Sequence, residues 1–505
     1  MAEEIELKLT GPAEVLSAVR SHPAVTAVAC GRARTQHLSS TYYDTAACDL
    51  AAAGVALRLR RAGRRWLQTV KGAGAAAGGL HRRVEFEWPL AAPRLDREKL
   101  ASTPWRKLFA ASRAYRRVFA TDVRRYEQPI AFADGTRAKL CFDVGEIRAG
   151  RRRAPVSEIE VELQTGDPSR LFELASALAA DLPVRIEPAS KAARGYALAS
   201  QSMPEPRRAR DVALVPDSTL ASALAALGAE CIAQMETNAA AMSTATDAEY
   251  LHQLRVGWRR LRALLDLAAP LSSPASVEAL EAELGWLGTA LGPARDYDVF
   301  ALQTLPKVAA QFRSEPAIVR LRARAGARRR RARDVARQAV ASARLQKLLI
   351  GLGAFFTALP HSTAAEASTA LRDRAGPVLE KLHARLRKRA KHAQRLAPPE
   401  RHRARVAAKK LRYTAEFFAS LFPARRTEPY VEALSRLQTA LGRLNDLEVA
   451  ARLLDEVAPR EHADAGIAYA SGVLRGWLAA STGAELKRLR EVQRAFRKCE
   501  AFWNG

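Results

Sequence analysis

Charged side chains recur at every second residue near the start of the chain. Glu4, Glu6 and Lys8 alternate with aliphatic residues. Residues two apart point to the same face of a β-strand, so this segment predicts a strand with one charged and one apolar face. Paired carboxylates bind hard divalent cations, and basic groups bind phosphate oxygens. The pattern indicates metal-assisted phosphoryl chemistry, although five residues alone are more typical of a half-buried strand with a solvated polar face.

Later segments repeat this arrangement and favour the chemical interpretation. They are residues 55–60, 66–71, 83–88, 121–126, 139–144 and 158–163. An ordinary sheet surface would carry Thr, Ser and Gln, whereas here both signs of charge alternate with Ile, Leu and Val. A closed antiparallel β-barrel explains the pattern best, with a charged lumen and an apolar outside covered by helices.

Composition limits the class of protein. The chain has 505 residues, enough for two or three domains, and 48% of them are hydrophobic. No long apolar run lacks charged residues, so we expect no transmembrane helix and no membrane partner. The acidic N-terminus has no signal-peptide pattern. Five cysteines without metal-type spacing predict reduced thiols in a cytoplasmic protein.

The formal net charge of +28 predicts a polyanionic partner. Nucleic acid, an anionic membrane and a phosphate polymer are the candidates. The alternative is that the excess charge serves only solubility. Few aromatic residues accompany the basic segments, so stacking platforms for unpaired bases are not evident. This favours phosphate chains, and we do not expect nucleic acid as a specific ligand.

The sequence changes in character near residue 200. Residues 1–200 alternate at period two, whereas residues 218–505 are rich in Ala, Leu and Arg at helical spacing. The Pro-containing segment 201–217 is predicted to be a linker. We therefore predict a multidomain α+β protein with a barrel domain at 1–200 and an all-α domain at 218–505. We expect a fragment ending near Ser202 to fold and act unaided.

The helical region contains an internal repeat with an offset of 150 residues. Residues 252–262 match residues 402–412, and Asp296 recurs as Asp446. We predict repeats at about 218–350 and 361–500, each forming a four-helix bundle. Basic residues share one helix face in each repeat. The first stripe is His252, Arg255, Arg259 and Arg262, and the second stripe is His402, Arg405, Lys409 and Arg412.

Either stripe alone would be typical of a solvated helix face, but the duplication favours two stripes lining one basic groove. We expect the two histidines to add a pH dependence near their ordinary pKa of about 6.5. The Arg-rich run 320–337 is predicted to be a long solvated helix, with a wider basic surface as the alternative.

These segments resemble two known families. The string EIELK at 4–8, with LRLR at 57–60, EIEVEL at 158–163 and SKAARGY at 190–196, resembles the CYTH domains, or triphosphate tunnel metalloenzymes, along residues 1–200. The repeated His-x-x-Arg-Val motif resembles the CHAD domain along residues 218–500. The combination is most similar to bacterial two-domain inorganic triphosphatases.

The resemblance implies hydrolysis of inorganic triphosphate by a metal-activated water, and polyphosphate binding by both stripes, in the cytoplasm and at polyphosphate granules. The implied ligands of Mg²⁺ or Mn²⁺ are Glu4, Glu6, Glu160 and Glu162. The implied phosphate clamp is Lys8, Arg58, Arg60, Lys71, Arg83, Arg125, Lys191 and Arg194. Glu85 is implied as a further catalytic contact to metal or water. Arg194 could equally have a structural role. The assignment of Arg125 to the clamp is less secure than the others, because the adjacent Arg124 points to the opposite face.

Two alternatives stay open at this stage. The same barrel could act on thiamine triphosphate or a nucleoside triphosphate, or could cyclise ATP. A third hypothesis is a non-catalytic scaffold on polyphosphate granules, which the intact charged segments disfavour. The sequence leaves the oligomeric state open.

Overall fold

The computed structural model describes residues 2–72, 74–111, 114–201, 205–312, 315–459 and 464–504. The chain divides into two compact units. The first unit contains Met1–Arg207, Ile232–Thr237 and Ser342–Ala358, and the second contains Arg208–Cys231, Asn238–Ala341 and Leu359–Gly505. Residues 202–204 of the predicted linker lie outside the described residues, and residues 205–215 have no helix or strand.

The strands described in the first unit form one antiparallel sheet. They are β1 (Ala2–Thr10), β2 (Arg34–Asp44), β3 (Ala56–Ala62), β4 (Arg65–Lys71), β5 (Ala75–Ala77), β6 (Leu80–Leu90), β7 (Arg116–Ala131), β8 (Arg137–Ala149), β9 (Arg152–Thr165) and β10 (Arg185–Ile186). β1 pairs with both β9 and β6, which closes the order β1-β9-β8-β7-β2-β3-β4-β6 into an eight-stranded barrel. The predicted closed barrel is confirmed.

The period-two pattern decides which side chains face the lumen. On β1, Leu7 and Leu9 are fully buried on the outer face, while Glu6 and Lys8 face inward. The register places Glu6 opposite Glu162 and Lys8 opposite Glu160. Charges from neighbouring strands therefore meet inside the barrel because the strand pairing requires it.

Short helices cover the barrel. They are α1 (Val15–Ser21), α2 (Pro23–Thr26), α3 (Asp49–Ala52), α4 (Arg97–Ala101), α5 (Arg106–Ala111), α6 (Ser169–Asp181) and α7 (Lys191–Ser200). α6 buries Leu171, Leu174 and Leu178, which recur at helical spacing and form one apolar stripe. α6 packs against β1, so the outer apolar face of that strand is shielded from water.

Two later segments of the chain also belong to the first unit. Helix α13 (Ala343–Ala358) packs on α6, and a Cβ at Gly353 would lie 2.4 Å from the ring of Phe172, so the close approach requires glycine. Gln346 Oε1 accepts a hydrogen bond of 3.0 Å from the Ile186 backbone N–H. A fragment ending near Ser202 lacks these contacts, so it would expose apolar surface of α6.

The remaining helices are long, except for the five-residue helix Leu305–Ala309. They are α8 (Leu220–Met242), α9 (Ala248–Ala268), α10 (Pro274–Val299), α11 (Leu305–Ala309), α12 (Pro316–Ala341), α14 (Leu371–Arg389), α15 (Pro398–Phe418), α16 (Ala424–Val457) and α17 (Ala465–Arg497). α12 confirms the long helix predicted for the Arg-rich run. Within the described ranges no single helix is long and apolar enough to span a membrane. One bent pair, Pro316–Ala341 with Ala343–His361, has the required length and apolar content when its two helices are taken together.

The 150-residue offset reappears in the helix bounds. α9 and α15 each have 21 residues, and each leads through a three-residue 3₁₀ turn into a long helix. α10 begins at Pro274 and α16 at Ala424. α9 contacts α15, which brings the two stripe-bearing helices together. The grouping into two four-helix bundles stays a prediction.

Candidate functional site

The barrel encloses a charged cavity of about 630 Å³. Both acidic and basic side chains line the cavity, and they include most of the residues predicted for the tunnel. These are Glu4, Glu6, Lys8, Arg58, Arg60, Lys71, Arg83, Glu85, Arg125, Glu160, Glu162 and Lys191. Arg194 is outside this lining. It pairs with Glu158 at 2.5 Å and donates to the Pro155 carbonyl oxygen, which supports its structural alternative.

The carboxylates of β1 are held by cations from β4 and β6. Lys71 Nζ lies 2.7 Å from Glu4 Oε1, and Arg83 Nε lies 2.8 Å from Glu4 Oε2. Arg83 also bridges to Glu6, whose other ion-pair partner is Lys8 at 3.2 Å. Burial raises the pKa of Glu4, but the charges of Lys71 and Arg83 outweigh it and leave the pKa well below its ordinary value. Glu4 is therefore ionised at neutral pH.

A second charged network centres on β9, the strand next to β1. Glu160 on β9 contacts Lys8 at 3.1 Å and Lys191 at 2.8 Å, and it also pairs with Arg125. Burial raises the pKa of Glu160, but Lys191, Lys8 and Arg125 lower it well below its ordinary value. Lys8 thus connects the carboxylates of β1 and β9, because it reaches both Glu6 and Glu160.

Asp143 on β8 was missed by the sequence analysis. Its carboxylate lies 2.6 Å from Arg125 and 2.8 Å from Lys191 and is 1% exposed. Burial raises its pKa, but Arg125 and Lys191 lower it to about 2. Asp143 shares its strand face with Lys139, which lines the cavity. The period-two alternation could have identified Asp143. Its ion pair with Arg125 shows that Arg125, rather than Arg124, faces the lumen.

Glu162 differs from the other carboxylates of the cavity. Its described partner is Gln164, which donates a hydrogen bond of 3.0 Å, and within the described ranges no cation lies at ion-pair distance. Burial, followed by the negative charge of Glu4, raises its pKa. The charge of Lys139, its partner on β8, acts in the opposite direction but is outweighed. A carboxylate with no cation at ion-pair distance fits a cation site, and the four predicted ligands supply the hard oxygen donors that Mg²⁺ and Mn²⁺ prefer. Among the described residues, no group of three Asp, Glu, His or Cys side chains is arranged closely enough to hold a metal ion without rearrangement.

Positive charge is in excess on β3. Arg60 Nε donates to Ser40 Oγ at 3.3 Å, a hydroxyl rather than a carboxylate. Burial, followed by the charges of Arg58 and Arg125, lowers the pKa of Arg60 to about 10. Burial raises the pKa of Tyr42, but Arg58 and Arg60 outweigh it and the net shift is downward. An anion placed here would relieve repulsion between cations.

The second unit contains a groove of about 670 Å³. All eight residues of the first and second stripes line it, together with Arg295, Asp296, Tyr413, Asn445 and Asp446, which the sequence analysis did not select. We call this surface the basic groove. Asp296 and Asp446 occupy equivalent positions of the repeat, so both acids could have been chosen from the shared offset.

Cations crowd the basic groove. Burial, followed by the charge of Arg259, lowers the pKa of Arg255 to about 10. Burial, followed by the charges of Arg259 and Arg405, lowers the pKa of Lys409 to about 6. The Nε atoms of Arg255 and Arg405 are buried and have no hydrogen-bond partner among the described residues. The groove is therefore short of negative charge.

In the free protein His252 does not have the ordinary histidine pKa on which the expected pH dependence is based. Burial, followed by the charge of Arg295, lowers its pKa to about 4, so the imidazole is neutral at pH 6.5. His402 Nδ1 lies 3.2 Å from Asn445 Oδ1. Tyr413 contacts the first stripe, because its hydroxyl accepts a hydrogen bond of 3.0 Å from Arg259 Nε.

Comparison with known proteins assigns both regions. Residues 2–196 match the CYTH domain model, and residues 226–455 match the CHAD domain model. An inorganic triphosphatase of Haemophilus influenzae is 31% identical over 205 residues. That alignment covers 40% of this chain and 56% of the relative, so the chain spans just over half of the relative's length.

A solved structure matches the whole length of a CHAD domain. The crystal structure of the CHAD domain from the plant Ricinus communis is 34% identical, with a TM-score of 0.52. The match covers 59% of this chain and 98% of that domain.

Proposed function

The chain consists of a CYTH domain followed by a CHAD domain, and we propose that it hydrolyses inorganic triphosphate in the barrel and binds inorganic polyphosphate in the basic groove. One observation carries the catalytic part of this proposal. Carboxylates and cations from the adjacent strands β9, β1 and β6 face the same cavity, where Lys8 contacts both Glu6 and Glu160. The similarity to an inorganic triphosphatase supports it.

The cations of the cavity bind and orient the substrate. Arg58 lies 3.6 Å from Glu85 and 3.9 Å from Glu87. By contrast, the hydrogen-bond partner of Arg60 among the described residues is a hydroxyl. Arg60 is therefore well placed to attract phosphate oxygens, with Arg58 beside it. Lys8, Lys71 and Arg83 donate to the remaining oxygens and stabilise the charge that develops there during phosphoryl transfer. Lys8 and Arg58 are themselves buried, and burial strengthens these interactions.

CYTH triphosphate tunnel enzymes depend on divalent cations. Glu4, Glu6, Glu160 and Glu162 would hold such an ion, for which we propose Mg²⁺ or Mn²⁺. When bound, it neutralises phosphate oxygens and makes a water molecule more acidic. Glu85, which lies 3.2 Å from Lys71, would orient that lysine or the attacking water.

Phosphate release from three substrates tests the proposed activity. We expect the full-length protein to hydrolyse tripolyphosphate faster than thiamine triphosphate or ATP, because the lining of the cavity is dominated by charged residues that recognise phosphates. Faster turnover of an organic triphosphate would overturn the substrate assignment. Turnover of none of the three with Mg²⁺ or Mn²⁺ would favour the scaffold hypothesis.

Polyphosphate binding should strengthen as the pH falls from about 8 toward about 6. Lys409, with its pKa near 6, is mostly neutral in the free protein at neutral pH, and a bound polyanion raises that pKa. Binding then takes up a proton, so affinity rises by up to about tenfold per pH unit between the bound and free pKa values and levels off below about pH 6. The groups facing Lys409 are Arg255, Arg259, Arg405 and Asp446.

Isothermal titration in two buffers of different ionisation enthalpy measures this proton uptake. Lys409→Gln should abolish the uptake, whereas the matched variant His402→Gln should retain it. A pH dependence that disappears in His402→Gln and persists in Lys409→Gln would contradict the assignment to the lysine.

A further inference from the structure

Helix α12 carries nine arginines and one acidic residue, Asp334. Two of the arginines point inward. Arg329 Nε lies 2.6 Å from Asp298 Oδ1, and Arg333 Nη1 lies 3.3 Å from Asp298 Oδ2. Asp298 is only 1% exposed. This buried ion pair fixes the rotation of α12 about its axis, since turning the helix would leave the carboxylate unpaired.

The fixed rotation turns another set of arginines outward. Arg324, Arg328 and Arg331 are exposed and follow one another at spacings of four and three residues, which places them on one helix face. With Ala327 and Val457 they line a cleft of about 210 Å³, which we call the α12 cleft. Their Cα atoms span about 10 Å along the axis. Within the part of the chain that the structure describes, no carboxylate lies at ion-pair distance from these three arginines.

The α12 cleft lies next to the basic groove. Val457 of the cleft is the last residue of α16. Five residues earlier, Arg452 Nη2 lies 3.4 Å from Asp296 Oδ2, and Asp296 lines the groove. The adjacent Tyr297 donates a hydrogen bond of 2.7 Å to Glu456. The final turns of α16 therefore connect the rim of the groove with the cleft.

We propose that the α12 cleft binds the part of a long polyphosphate chain that extends beyond the basic groove, so that the protein prefers long chains over short ones. This inference rests on the proposed polyphosphate binding. Arginine suits the task because its planar guanidinium donates two parallel hydrogen bonds to phosphate oxygens. α12 contains no aromatic residue on which a base could stack, so the surface fits a bare phosphate polymer better than single-stranded nucleic acid.

The test compares two triple variants of the full-length protein. One is Arg324→Ala/Arg328→Ala/Arg331→Ala. The matched control is Arg490→Ala/Arg494→Ala/Arg497→Ala on α17, which removes three exposed charges at the same spacing. The control lies at the far end of α16, where Phe496 contacts Tyr430 with ring centroids 5.5 Å apart. Affinity is measured for a short-chain and a long-chain polyphosphate at several salt concentrations.

We expect the cleft variant to lose about tenfold or more in affinity for the long chain. The slope of log affinity against log salt concentration should fall by about 2, because each of the three phosphate contacts contributes about 0.7. Its short-chain affinity should stay within about twofold of the parent, and the control should keep both affinities. Equal losses in both variants, or equal losses for short and long chains, would overturn the proposal. So would single-stranded DNA that competes as well as polyphosphate at equal phosphate concentration.

The same titrations separate this inference from the proposed function. If the parent binds short chains and the cleft variant binds long chains as tightly as the parent, the cleft inference fails and the groove function stands. If the parent binds neither chain, both fail. The melting temperature of each variant, expected to match the parent, shows that the helical unit is intact, and unchanged tripolyphosphate hydrolysis shows the same for the barrel.

Discussion

Glu4→Gln and Glu6→Gln are each expected to lower the turnover of inorganic triphosphate about 100-fold or more. Glutamine keeps the size of the side chain but loses a charge that would hold a divalent ion. In Glu4 that charge also neutralises Lys71 and Arg83. In Glu6 it neutralises Arg83 and Lys8. A hundredfold loss corresponds to about 2.7 kcal/mol of activation free energy. Steady-state phosphate release at saturating metal measures it.

Neighbouring residues provide controls for this result. Glu3→Gln, on the opposite face of β1 and exposed, should keep the activity of the parent. Glu6 is buried and ion-paired, so its variant also loses stability. Glu162→Gln avoids that problem, because Glu162 has no described cation partner, and it should lower turnover and metal affinity without lowering the melting temperature. Parental activity in Glu4→Gln or Glu162→Gln would remove the metal assignment.

The barrel and most of its lumen could be predicted because a strand has a side-chain period of two. Once Glu4, Glu6 and Lys8 alternate with buried aliphatic residues, one face must be apolar and the other charged, and eight such strands can satisfy both only by closing. The register then follows, since a shift by one residue would turn every charge outward.

Contacts between segments distant in the chain could not be predicted in the same way. Strand alternation places Asp143 on the lumen face, but it does not show that Arg125 and Lys191 lie beside it. Glu236 lies in an apolar stretch of α8, yet its carboxylate accepts a hydrogen bond of 2.9 Å from the Gly78 backbone N–H. Burial raises the pKa of Glu236 to about 7. Only the three-dimensional structure shows that its partner is a turn 158 residues away.

The repeat made the basic groove predictable, but its electrostatics were not. Helical spacing places Arg255, Arg259 and Lys409 on equivalent helix faces of the two repeats. It does not show how deeply each side chain is buried. Burial together with neighbouring cations changes the charge of Lys409, and burial makes His252 neutral at pH 6.5. Residues that look alike in sequence therefore play different roles in the groove.

Replacing two cations in either stripe should weaken polyphosphate binding about tenfold or more and lower its salt dependence. The variants are Arg255→Ala/Arg259→Ala and Arg405→Ala/Lys409→Ala. Each cation that contacts the polymer releases condensed counterions, so losing two should reduce the slope of log affinity against log salt by about 1.4 to 1.8. Fluorescence anisotropy with labelled long-chain polyphosphate at several salt concentrations measures both quantities.

The fold should survive these changes, because the cations repel one another and the buried Nε atoms of Arg255 and Arg405 have no hydrogen-bond partner among the described residues. The melting temperature should stay constant or rise, which distinguishes a binding defect from unfolding. The triple variant Arg490→Ala/Arg494→Ala/Arg497→Ala removes more charge from an exposed helix and should bind normally. If only one stripe matters, the two repeats do not share a ligand. If the α17 variant loses as much affinity as the stripe variants, general basicity and not the groove accounts for binding.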